Sequence, residues 1–377
     1  MKRFKLFINN EWADASDNKT FTTYNPCTGE PIAEMACAAK EDVDKAVASA
    51  KNAFDSGVWS ELDPEKRAEY MLRVCRIMER RADELAAWEA MDTGKTLREC
   101  KDVDIPYAIR AVEYHAMSAQ FLKGQVVHIP GQYAFDYVTY EPYGVVASIS
   151  PWNFPIHLMT RSVAPAIAAG NTVVSKASSL TPVTTQIMGE IFEEAGFPAG
   201  VVNIVSGPGS VVGEAILAAK DVSVVSFTGS ESVGRYLIEN SAKSPLFKKL
   251  ILELGGKGPF IAEPDCNIDA AVNGLILGFC LNQGEVCCAS TRLYLHEDIY
   301  EVFMEKLIDR CGRFKLGDQM DSDMMMGALI DKKQYEVVNG YVENAVRSGA
   351  RVLCGGKRLT GGIYDKGYFY PLPCSKM

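Results

Sequence analysis

Apolar positions set the first elements. Val43, Ala46, Val47, Ala50 and Phe54 recur at helical spacing, and Gly57 follows as a stop, which predicts an amphipathic helix over 40–54. A second, longer helix is predicted from Asp63-Pro64, a cap followed by proline at the first helical position. It carries Met71, Leu72, Cys75, Met78, Leu85 and Trp88 on one side and ends near Gly94, so the first hundred residues read as mostly helical. From Gln125 to Glu141 the pattern turns β-branched and aromatic around Pro130-Gly131, which predicts a projecting hairpin. Short apolar runs then alternate with helical segments: 144–149, 172–175, 201–205, 222–227 and 250–254, separated by stretches such as 184–195 and 211–219. That alternation predicts a parallel sheet wrapped by helices, with ligands at the carboxyl ends of its strands. Beyond Gly255, a helix over 268–281, a cysteine-bearing loop and a strand over 292–295 predict a second α/β domain.

Composition narrows the function classes. The 377 residues are 47% apolar and 23% charged, an ordinary globular balance long enough for two domains. The net charge is −9 and no basic cluster stands out, which argues against nucleic acid as a partner. No stretch approaches the length of a membrane span, and 1–12 lacks a leader pattern, so a cytoplasmic location is expected. The eleven cysteines lack paired CxxC spacing and are expected to be mostly reduced and buried. His115, His128, His157 and His296 are scattered, and no metal site is expected.

Four stretches fall at predicted strand ends: Pro151-Trp152-Asn153-Phe154-Pro155, Phe227-Thr228-Gly229-Ser230, Glu253-Leu254-Gly255-Gly256-Lys257, and Asn282-Gln283-Gly284-Glu285-Val286-Cys287. In this order and spacing the chain resembles the NAD(P)-dependent aldehyde dehydrogenase superfamily from Phe7 to about Tyr370. The resemblance implies a Rossmann-type parallel-sheet domain (1–123 and 144–252), an oligomerisation hairpin (124–143) and a second α/β catalytic domain (253–377). It also implies NAD or NADP as cofactor, a small-molecule aldehyde substrate, and a homodimer or homotetramer.

The residue types suit that chemistry. A cysteine thiolate attacks an aldehyde to give a thiohemiacetal, hydride leaves, and an activated water hydrolyses the resulting thioester. The resemblance makes Cys287 the nucleophile, with Cys288 in a supporting place. It makes Glu253 the general base, a role suited to a partly desolvated carboxylate flanked by Gly255-Gly256. It makes Asn153, held in a loop between two prolines, an oxyanion donor together with the Cys287 N–H. For the cofactor, Gly229 and Gly234 read as a Gly-x-x-x-x-Gly turn opening a helix to Ala242, with Ser230 adding a hydroxyl. Trp152, Lys176, Ser179, Gly209, Gly213, Phe227 and Leu254 complete the implied cofactor set. Ser179 stands where the family has a ribose-binding glutamate, which opens the site to NADP. Phe154 and Arg161 are expected to face the substrate; Arg161 would bind a carboxylate or polar oxygen, or else pair with a nearby acidic residue.

The resemblance weakens at the end. Tyr370 to Met377 departs from the family and reads as a tail, and the family's Glu-x-Phe-Gly-Pro motif and subunit-pairing last strand are missing from the sequence. The chain therefore reads as a C-terminally incomplete member with compromised assembly. A catalytically inactive fragment that keeps dinucleotide or partner binding is the alternative to aldehyde oxidation.

Overall fold

The computed structural model describes residues 1–131, 133–244 and 246–376. Its centre is a seven-stranded sheet built from β1 (Leu6–Ile8), β2 (Glu11–Ala13), β3 (Val145–Ile149), β4 (Thr172–Ala177), β5 (Val202–Ser206), β6 (Val222–Thr228) and β7 (Lys249–Glu253). The spatial order is β7-β6-β3-β4-β5-β1-β2. β3 to β7 run parallel, with Ile149 opposite Lys176 and Thr228 opposite Glu253, so their carboxyl ends share one edge. β1 joins antiparallel to β5 and β2 antiparallel to β1.

Helices cover both faces, so β4 and β5 are buried along their whole length and read as continuous runs. One face packs on α1 (Lys40–Asp55), whose Val43, Ala46 and Val47 join Val145, Val174 and Val205. The other packs on α2 (Pro64–Arg80), α3 (Pro155–Ala168) and α4 (Val183–Glu194), through Met71, Met78, Ile156, Met159 and Ile187. A smaller parallel pair, Gly258–Ala262 with Ser290–Leu295, is crossed by a helix over Ile268–Cys280, whose Val272 and Leu275 pack with Phe303. The expected α/β class and second α/β element set are both present.

Four local expectations are corrected. The first 36 residues hold five short strands, too brief for an alternation to register; three form a separate sheet with Pro31–Ala36 at its centre. The long helix is two, because the chain turns at Arg81 (φ −98°, ψ 13°) before Ala82–Thr93. Arg81 is tied there to Glu84 and, at 2.6 Å, to Glu190, contacts that periodicity cannot report. Of the eleven free cysteines only Cys27, Cys75, Cys100 and Cys280 are buried, while Cys287 and Cys288 are exposed. The expected tail is seated: Tyr370 and Leu372 are buried, and Cys374–Lys376 pairs antiparallel with Arg351–Cys354, residue 377 lying outside the described residues.

Gln125–Val127 pairs antiparallel with Asp136–Val138, and all six residues are exposed; within the predicted hairpin, residue 132 lies outside the described residues. Among the described residues no helix is long and apolar enough to cross a membrane, and no group of three or more His, Cys, Asp or Glu could hold a metal ion.

Candidate active site

β3 delivers the Trp152–Pro155 loop to the carboxyl edge of the sheet, and Pro155 starts α3 where a missing N–H costs nothing. Asn153 Nδ2 donates to Glu285 O at 2.8 Å, which brings this loop within two residues of Cys287 across 132 positions of chain. The loop after β7 reaches the same place. A Cβ on Gly256 would lie 2.8 Å from Cys287 O, so only a glycine backbone approaches that closely without displacement. Cys287, Asn153 and the Glu253–Gly256 turn thus converge. Burial and the adjacent Cys288 push the Cys287 thiol above its ordinary value, so the resting thiol is protonated at neutral pH.

A buried charge cluster underlies this loop. Lys95 and Asp104 form an ion pair with both side chains fully buried, and Lys95 Nζ sits 4.0 Å from the centre of the Phe154 ring. Burial alone would push Lys95 down, but Asp104 and Glu89 outweigh it and hold it above the usual lysine value. Burial pushes Glu99 and Asp92 up to about 7 and Glu285 well above the carboxylate range. Glu99 Oε1 accepts from Asn282 N at 2.7 Å, and Glu285 Oε1 accepts from Ile330 N at 3.2 Å. Sequence reading missed Lys95, Glu99, Asn282 and Glu285 as members of the site. The Asn-Gln-Gly run carried the one local signal, since asparagine and glycine tolerate left-handed backbone.

The proposed cofactor residues line the same edge. Lys176, at the end of β4, is buried, and burial pushes its amine down to about 8. Its one hydrogen bond among the described residues is to Ala177 O at 2.8 Å, which leaves donors for a ribose or phosphate oxygen. Trp152 O accepts from Thr181 Oγ1 at 2.9 Å, and Ser179 Oγ donates to Gly207 O at 2.8 Å, tying the ends of β4 and β5. Gly209 to Gly213 form one wide helical turn with open space beside both glycines. Ser230 caps α5 (Glu231–Ser241) by accepting from Val233 N at 3.4 Å.

Gly234 is corrected: it lies inside α5 rather than in the turn before it. A Cβ there would meet Leu254 at 2.8 Å, and one on Gly229 would meet the Phe227 ring at 2.4 Å. Both glycines serve close packing. The open donors of Lys176, the exposed N-terminus of α5 and the open face at Gly209 fit a dinucleotide.

Arg161 and Glu253 face each other. Arg161 Nη2 lies 3.8 Å from Glu253 Oε1, and both line a cavity of about 350 Å³ with Tyr143, Ser162, Ser226 and Lys249. The expected desolvation of Glu253 is absent, because its side chain is 57% exposed at the open end of edge strand β7. A pair this solvated contributes at most about 1 kcal/mol, so Arg161 is readily available to a competing anion.

A parallel sheet whose carboxyl edge gathers a thiol loop, an amide and a carboxylate around donors suited to a dinucleotide defines an α/β enzyme. A model of the aldehyde dehydrogenase family matches residues 12–372. The chain is 40% identical over 364 residues to an aldehyde dehydrogenase of Alternaria alternata, covering 97% of this chain and 72% of that one. It is 41% identical to the mitochondrial aldehyde dehydrogenase of Homo sapiens, covering 97% and 70%. The solved NAD+ complex of an aldehyde dehydrogenase from Bacillus cereus superposes with a TM-score of 0.95 at 38% identity, covering 99% of this chain and 74% of that one. The chain belongs to the aldehyde dehydrogenase family.

Proposed function

We propose that the chain oxidises an aldehyde to a carboxylic acid with Cys287 as nucleophile, and that NAD or NADP is its electron acceptor. The observation that carries this reading is the convergence of Asn153, Gly256 and Cys287 from three separate segments. The Cys287 thiol gives its proton to solvent water, its thiolate sulfur bonds to the aldehyde carbon, and the carbonyl π electrons move to the oxygen, which becomes an oxyanion. One Asn153 N–H is donated to Glu285 O; the other has no partner among the described residues and would bind that oxyanion, together with the N–H of Cys287. The bound nicotinamide would supply the hydride acceptor, leaving an acyl thioester on Cys287. Glu253, exposed enough to contact water, takes a proton from the water that releases the acid. Lys176, Ser179, Ser230, Gly209, Gly213, Trp152, Phe227 and Leu254 would hold the dinucleotide, with Gly229 and Gly234 shaping its floor. Residues 1–123 and 144–252 are the dinucleotide-binding unit, 124–143 the hairpin for a dimer or tetramer, and 253–377 the catalytic part.

Arg161, with Phe154, is proposed to select polar or carboxylated aldehydes, since a substrate carboxylate gains a bidentate partner that Glu253 holds only loosely. In an NAD(P)H absorbance assay, succinate semialdehyde is expected to exceed betaine aldehyde in kcat/KM, and Arg161→Leu is expected to lower the former by about tenfold. A ranking led by betaine aldehyde, or one unmoved by the substitution, overturns this assignment. An absence of NAD(P)H formation across the panel overturns the oxidation itself.

Cofactor choice is tested at Ser179. A carboxylate there would repel a ribose 2′-phosphate, so Ser179→Glu is expected to shift the NAD over NADP ratio of kcat/KM upward, on the order of tenfold. An unchanged ratio counts against this position.

A further inference from the structure

Asn153 is held at both ends by one other side chain. Asn282 Nδ2 donates to Asn153 O at 2.9 Å and to Glu285 O at 3.2 Å, and Glu285 O is also the acceptor for Asn153 Nδ2 at 2.8 Å. The Asn282 amide therefore fixes the backbone of Asn153 directly and its side chain through a shared carbonyl. Two carbonyl acceptors also settle which way the Asn282 amide faces, with the NH₂ inward.

Asn282 is 1% exposed and left-handed at φ 48°, ψ 48°, and Gln283 follows at φ 56°, ψ 18°. Asparagine tolerates this conformation, but for Gln283 it is uphill by about 1–2 kcal/mol and persists only where neighbours over-determine it. Two ties do so: Glu99 Oε1 accepts from Asn282 N at 2.7 Å, and Ala328 O accepts from Gln283 Nε2 at 3.1 Å. Glu99 comes from a short segment, Leu97–Glu99, 183 positions away, and among the described residues its carboxylate accepts from Asn282 N and hydrogen-bonds to none of the reacting groups assigned above.

We propose that Asn282 and Glu99 are positioning residues that aim the free N–H of Asn153 at the oxyanion. This rests on the reading of Asn153 as oxyanion donor and extends it to residues that contact no substrate. An amide displaced by about 1 Å loses on the order of a hundredfold in rate.

The test uses the full chain and two reactions of Cys287. Hydrolysis of 4-nitrophenyl acetate passes through a tetrahedral oxyanion at the thiol without cofactor or hydride transfer, whereas alkylation by iodoacetamide forms no oxyanion. Asn282→Asp keeps the shape and tolerates the left-handed backbone but replaces the donor by an acceptor facing two carbonyls. It is expected to lower ester hydrolysis and aldehyde kcat together by about 10- to 100-fold, with KM and alkylation within twofold. Glu99→Ala is expected to act in the same direction, and Glu99→Gln, whose carbonyl still accepts from Asn282 N, to restore near wild-type rates. Ester hydrolysis within twofold of wild type in Asn282→Asp overturns the proposal, as does an equal fall in hydrolysis and alkylation, which marks collapse of the loop. Asn153→Ala separates the two levels: if it leaves ester hydrolysis intact, the oxyanion reading fails; if it abolishes hydrolysis while Asn282→Asp does not, only the positioning fails.

Discussion

Cys287→Ala is expected to reduce aldehyde-dependent NAD(P)H formation by at least about 10⁴-fold in kcat, while Cys288→Ala retains most of the activity. Both cysteines are exposed and adjacent, so residue type and exposure class do not separate them. Position does. The backbone of Gly256 approaches the carbonyl of Cys287, and the amide of Asn153 is anchored at Glu285, so the proposed oxyanion donor and the Glu253–Gly256 turn both meet the chain at or before the first of the two cysteines. Cys288 instead faces Gly258, where a Cβ would stand 3.4 Å from its carbonyl, one step along the chain toward the Ser290–Leu295 strand. Cys287→Ala removes the sulfur outright, whereas Cys288→Ala relieves one of the influences that raise the Cys287 thiol. Single-turnover measurement of acyl-enzyme formation, read beside steady-state kcat, checks the assignment. An equal loss from both substitutions would refute it.

Lys95→Met is expected to destabilise the fold by about 3–5 kcal/mol, measured as the loss of unfolding free energy in urea. Lys95 and Asp104 are both fully buried; Lys95 pairs with Asp104 Oδ2, and among the described residues Oδ1 has no hydrogen-bond partner. Methionine preserves most of the volume but leaves the Asp104 carboxyl without a counter-charge in a medium that solvates it poorly. Glu89 and Glu99 face the same vacancy, and both rely on Lys95 to oppose the effect of burial. The loss extends to the site, since Lys95 also lies over the Phe154 ring and so steadies the loop carrying Asn153. The double variant Lys95→Met/Asp104→Leu is expected to recover much of the stability, because an apolar pair replaces the ionic one. A single variant within about 1 kcal/mol of wild type would show that the pair contributes no more than a surface ion pair.

Much of the architecture is readable in one dimension. The apolar runs at 144–149 through 250–254 mark the five parallel strands within two residues; the central strands are apolar along their length because both faces are covered, whereas edge strand β7 is exposed at alternate residues. The motifs that carry Asn153, Glu253 and Cys287 are equally local, since proline, glycine and asparagine announce turns by their own backbone preferences. The strands within 2–36 were illegible: three to six residues give too little alternation, and their partners lie up to about two hundred positions away.

By itself, then, the sequence determined the α/β class and the strand ends as the place to look, both properties of short windows, and its motifs carried the family resemblance from which the roles of Cys287, Asn153 and Glu253 are proposed. Tertiary structure alone decided what surrounds each of them. It left Glu253 in solvent beside Arg161, moved Gly234 from a turn into a helix against Leu254, and broke the long helix at Arg81. It also carried Lys95, Glu99, Asn282 and Glu285 to the loops of Asn153 and Cys287, the groups proposed to react. The physical reason is that desolvation, ion pairing and hydrogen bonding depend on distance in space. A carboxylate such as Glu99 has the same local sequence whether it meets water or accepts from Asn282, and only the packed chain, closing 183 positions, settles which.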